Sequence, residues 1–73
     1  AALALADSLV RADARWARAY LLRGYAYQRL EDLDKAEENF TTAIRLDPSD
    51  MEAYNAAGLV AYSQQRFGDA EQY

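Results

Sequence analysis

Across residues 17–50 the apolar positions return every three or four residues, the spacing of a helix that buries one face. Tyr20, Gly24, Tyr27 and Leu30 fall on one such face, and Leu33, Ala36, Phe40, Ala43 and Leu46 on a second that opposes it. The pattern predicts two antiparallel helices with Glu31 to Asp34 as the turn between them. Asp34 with Glu37, and Ser49 with Glu52, have the spacing of capping boxes that would start the second helix and the one after it. Asp47-Pro48 marks the stop between those two, because proline disfavours helical geometry in the residue before it and has no N–H to donate. Ahead of this stretch, Ala2, Leu5, Leu9 and Ala12 predict a further helix. It should break between Asp13 and Ala17, with Trp16 packed in the turn.

The elements recur. A shift of 34 residues lays Tyr20 on Tyr54, Gly24 on Gly58, Ala26 on Val60, Ala36 on Ala70 and Glu37 on Glu71. The same shift lays Asp32-Leu33-Asp34 on Arg66-Phe67-Gly68, which predicts a second turn there and a further helix after Gly68. Glycine inside a helix costs about 0.5–1 kcal/mol relative to alanine, so a recurring pair needs a reason. Close approach of two helix backbones supplies one, with small Ala36, Ala43 and Ala70 on the helices that face Gly24 and Gly58.

With these residues in view, the chain resembles the tetratricopeptide repeat family. That family's pattern of aromatic, Leu-Gly, Tyr, Ala, aromatic, Ala and closing Pro is matched by Tyr20, Arg23-Gly24, Tyr27, Ala36, Phe40, Ala43 and Pro48. Tyr54, Ala57-Gly58, Ala61 and Ala70 match it again. Residues 17–50 resemble a complete repeat, 51–73 a truncated second repeat, and 1–16 a capping helix or degenerate half-repeat. Arg23 stands where the family has Leu, so packing against residues 1–16 is expected to be looser and partly solvated. The resemblance implies an all-α fold, antiparallel helix-turn-helix repeats stacked as a short right-handed α-solenoid.

It also implies a scaffold that binds a peptide or helix of another protein on the concave face. The positions it assigns to that face are Arg18, Leu21, Tyr25, Gln28 and Arg29 in one unit, and Glu52, Asn55, Leu59, Tyr62 and Ser63 in the next. Tyrosine offers rigid contact area with a polar tip and arginine pairs with carboxylates, so the composition suits recognition. Some relatives grip a C-terminal carboxylate with Lys, Asn and Arg, but Leu21 and Tyr25 occupy the places such a clamp needs. The alternative to partner binding is a structural spacer or oligomerisation segment of a larger repeat protein. A chain that starts without Met and stops at Tyr73 within a helical pattern is expected to be a piece of a longer one, with self-association through Leu59, Phe67 and Tyr73.

Composition narrows the chemistry. At 73 residues, with 52% hydrophobic and 27% charged side chains, the chain is expected to be one folded unit without a membrane span. With no Cys and no His it lacks thiol and imidazole chemistry, and no catalytic residue, cofactor-binding residue or metal ligand is assigned. Glu31, Asp32, Asp34, Glu37 and Glu38 form the densest carboxylate group, but a solvated turn does not tune their acidity, and no enzyme activity is expected. Net charge is −4, divided unevenly: residues 1–30 hold five Arg and two Asp (+3), and 31–73 hold three basic and ten acidic side chains (−7). Arg11, Arg15, Arg18 and Arg29 interleave with Trp16, Tyr20 and Tyr25 as in a nucleic-acid surface. The expected break at 13–17 splits that series and the acidic second half repels phosphate, so this reading ranks below protein binding.

Overall fold

The structure, a computed structural model, describes residues 2–72, with side chains described for residues 2–64. Four helices follow one another: α1 (Ala2–Ala12), α2 (Ala17–Arg29), α3 (Leu33–Leu46) and α4 (Met51–Gln72). Neighbours in sequence pack as neighbours in space, α1 on α2, α2 on α3 and α3 on α4. The expected break between Asp13 and Ala17 is present: Asp13 accepts the Arg15 N–H on its Oδ1 (3.0 Å) and the Trp16 N–H on its carbonyl (3.2 Å). Trp16 itself is 44% exposed rather than packed in the turn, because it is the residue that enters α2 in extended geometry.

The turn between α2 and α3 is tighter than expected, and one aspartate serves both ends of it. Glu31 takes the left-handed conformation (φ 62°), and α2 closes with Glu31 N–H donating to Gln28 O and Asp32 N–H donating to Tyr27 O, each at 3.0 Å. Asp32 then caps α3 by accepting the Lys35 N–H on its Oδ1. The cap is therefore Asp32 and not Asp34, since the left-handed step at Glu31 brings the helix start forward. Ser49 is likewise displaced from its expected role. Its N–H and hydroxyl both donate to Asp47 Oδ1 (3.2 and 2.6 Å), and Asp50 caps α4 by accepting the Glu52 N–H at 3.0 Å.

The core forms where three helices meet. Leu21 of α2 lies with Ala36, Phe40 and Ala43 of α3 and Ala53, Ala56 and Val60 of α4 in one buried cluster. Burying Phe40 completely contributes roughly 1.5–3 kcal/mol. The Phe40 ring meets Tyr25 edge to face, centroids 5.2 Å apart. Gly24 is buried against the same ring, the close helix contact expected of it. No described atom lies within 4 Å of a Cβ built on Gly58, and its expected neighbour Ala70 lies outside the described side chains.

Three apolar stripes are corrected in detail. Leu30 and Leu46 are exposed, because each stands at the end of its helix where the stripe runs past the packed segment. In α1 the buried residues are Ala6 and Val10, so Ala2, Leu5, Leu9 and Ala12 lie to one side of the buried line. The expected turn at 66–68 lies outside the described side chains. Among the described residues all regular structure is helical, and no helix is long and apolar enough to cross a membrane.

Candidate functional site

Repeat geometry sets two helices of equal register, α2 and α4, side by side. Arg18 and Glu52, which are 34 residues apart, meet at 3.2 Å, and Asp50 lies 3.7 Å from the same guanidinium nitrogen. On its other oxygen Glu52 accepts the Tyr25 hydroxyl at 3.0 Å. Burial of the Tyr25 ring raises its pKa above the usual phenol value, and the hydrogen bond to Glu52 adds to the rise by favouring the protonated hydroxyl. Arg18, Tyr25 and Glu52 thus form one linked polar group across the two helices. As exposed charges, Arg18 and Glu52 contribute little to stability, on the order of 0–1 kcal/mol.

Beside this group a groove of about 430 Å³ runs between α1 and α2. Leu5 and Leu9 form one wall, Leu22 and Ala26 the other, and Tyr25, Gln28 and Arg29 border it. A second, wider hollow of about 670 Å³ lies over α3, lined by Asp34, Glu37, Glu38, Thr41, Thr42 and Arg45 with Arg23 and Asn39. It is polar and open, and no group of acidic side chains among the described residues is arranged to hold a metal ion.

Most of the residues assigned to the concave face are accessible, with one exception. Arg18, Tyr25 and Glu52 are brought together, and Gln28 and Arg29 border the groove with Tyr25. Asn55, Leu59 and Tyr62 are exposed on α4, and Ser63 returns its hydroxyl to the Leu59 carbonyl at 3.0 Å. Leu21 is fully buried and belongs to the core, because α4 presents Ala53 and Ala56 to it and leaves room for its whole side chain. The groove leucines, Leu5, Leu9 and Leu22, were not assigned to a site from sequence. Leu22 carries a signal that could have found it, as an apolar residue off the Tyr20, Gly24 and Tyr27 stripe.

Arg23 explains its departure from the family pattern. Its Nε donates to Asn39 Oδ1 at 2.7 Å, its Nη1 to Asp7 Oδ1 at 3.3 Å, and its guanidinium lies 5.3 Å from the centre of the Tyr20 ring. One partly buried side chain ties α1, α2 and α3 together, and it stays partly solvated as expected.

An all-helical fold of antiparallel helices in sequential contact, with a 34-residue repeat, defines a helical-repeat protein. The family model for the tetratricopeptide repeat matches residues 21–73, and the chain belongs to that family. No curated protein and no solved structure matches it. Members of the family typically mediate protein–protein interaction and are generally non-enzymatic scaffolds.

Proposed function

We propose that this chain binds a peptide or helix of another protein along the surface shared by α2 and α4. The observation that carries the reading is the linked group of Arg18, Tyr25 and Glu52 across α2 and α4, together with the exposure of Leu59 (64%) and Tyr62 (59%) two to three turns further along α4. Tyrosine and arginine are enriched in binding hot spots, and this surface carries Tyr25, Tyr62, Arg18 and Arg29. Arg18 is already neutralised by Glu52 and Asp50, whereas Arg29 makes no ion pair among the described residues. A ligand with apolar anchors and a carboxylate near Arg29 fits best. Asn55, Gln28 and Ser63 supply polar contacts at the edges.

The test is selection of ligands from a random peptide library on the 73-residue chain, followed by titration monitored by two-dimensional NMR. Selected peptides should shift resonances along α2 and α4, and both Tyr25→Ala and Leu59→Ser should weaken binding about tenfold or more, each tenfold being about 1.4 kcal/mol. Peptides that map instead to the outer face of α3, with affinity untouched by either substitution, would overturn the reading.

A further inference from the structure

Where α2 meets α4, the hydrogen-bond donors are engaged and acceptors are left over. A carboxylate has no proton to give, so the 3.0 Å bond from Tyr25 to Glu52 engages the single proton of the Tyr25 hydroxyl. Toward a ligand the Tyr25 oxygen is therefore an acceptor. Glu52 takes one donor on each oxygen, Arg18 Nη1 at 3.2 Å on Oε1 and the Tyr25 hydroxyl on Oε2. Those two bonds hold the carboxylate between the helices, and each oxygen keeps a lone pair for a second donor. The Glu52 side chain is 49% exposed, so a ligand reaches it.

Charge points the same way. One guanidinium, Arg18, faces two carboxylates, Glu52 and Asp50, and leaves the group with a net charge of −1. No other cation among the described residues pairs with either carboxylate. The Asp50 side chain is only 13% exposed, and its Oδ1 accepts the Glu52 N–H at 3.0 Å. It contributes field, and Glu52 is the carboxylate that a ligand touches. The Tyr25 ring is held edge to face on Phe40, so its oxygen is fixed before a ligand arrives. Both helices that build the group pack on α3, and its geometry is set within the chain.

We infer that the ligand bound along α2 and α4 places a cationic side chain, lysine or arginine, on Glu52 and the Tyr25 oxygen. This rests on the ligand-binding reading above and gives that ligand its chemistry. An ammonium or guanidinium brings only donors, which is what this spot lacks. Arg29 follows Arg18 by eleven residues, about 16 Å along α2 at about 1.5 Å per residue. A peptide that meets both ends of the surface carries its basic residue and its carboxylate roughly five extended residues apart.

Peptides selected on the 73-residue chain test this by titration against the wild type, Glu52→Gln and Arg18→Gln. Those that shift resonances along α2 and α4 should be enriched in Lys or Arg at one position and should bind more weakly in high salt. Glu52→Gln should weaken them about three- to fivefold, the size of one exposed ion pair. Arg18→Gln should strengthen them by a similar factor, because it releases Glu52 and removes a like charge. A merely structural role for the Arg18 and Glu52 pair predicts losses in both variants, since each breaks the same contact. Exchanging the peptide's basic residue for methionine should abolish both effects, and this arm on the wild-type chain serves if a variant loses helix content by circular dichroism. Peptides that map to α2 and α4 without basic enrichment, a loss in both variants, or indifference to the methionine exchange would overturn this inference and leave the ligand-binding reading standing. Peptides that map elsewhere would overturn both.

Discussion

Gly24 of α2 lies so close to Phe40 of α3 that a Cβ on the glycine would sit 2.5 Å from the ring's Cε1. The ring is fully buried and has nowhere to retreat, so the two backbones hold this separation only because position 24 has no side chain. The repeat-equivalent Gly58 has open space on the same test among the described atoms. Gly24→Ala should therefore destabilise by about 1–3 kcal/mol through overpacking. Gly58→Ala should stabilise by up to about 1 kcal/mol through helix propensity. Urea unfolding of the two variants checks the difference, and equal effects of the same sign would remove the close-contact argument.

Arg23 and Asn39 form the second coupled pair. Asn39 is only 6% exposed, and its side chain is satisfied by Arg23 on the oxygen and by the Lys35 carbonyl, at 2.7 Å, on the nitrogen. Arg23→Leu brings position 23 to the family's residue yet strands a buried oxygen, and should cost about 1–3 kcal/mol. Adding Asn39→Leu should recover part of that loss. A double-mutant cycle measures the coupling, which is expected to be at least about 0.5 kcal/mol.

The α2/α3 turn gives two substitutions of opposite sign. Asp32→Ala removes the α3 cap and should destabilise by about 1 kcal/mol. Glu31→Gly relieves a side chain held at φ 62° and should stabilise by up to about 1 kcal/mol. Thermal melts of both, read against Asp34→Ala as the cap expected from sequence, show which aspartate starts the helix.

Tyr25 couples stability to alkaline pH. Its folded-state pKa is raised above the ordinary value of 10.0 by burial first and the Glu52 hydrogen bond second. A folded state that holds this proton more tightly than the unfolded chain keeps the full contribution below the unfolded value and loses it as pH rises through the folded one. Stability should fall above about pH 10, the ordinary phenol value. Tyr25→Phe should flatten that part of the fall in urea titrations across the range; an unchanged slope would show that the hydroxyl is not held as described.

The sequence by itself determined the helices and their repetition, because a helix with one apolar face is a local pattern and a repeat is a pattern copied. The close contact at Gly24, the stop at Asp47-Pro48 and the break after α1 were all legible for that reason. The turn after α2 was legible only approximately, since Asp32 and Asp34 are equally good caps as residues. Glu31, by turning left-handed, selected the first.

Only the tertiary structure decided which apolar residues face inward at the edges of each stripe. Leu21 reads as a surface position by register and is core because α4 meets it with alanines. Leu5 reads as a packing residue and remains accessible along the groove. Periodicity gives a side chain's direction around its own helix. Whether another backbone stands in that direction, and how large its side chains are, is a property of the assembled helices.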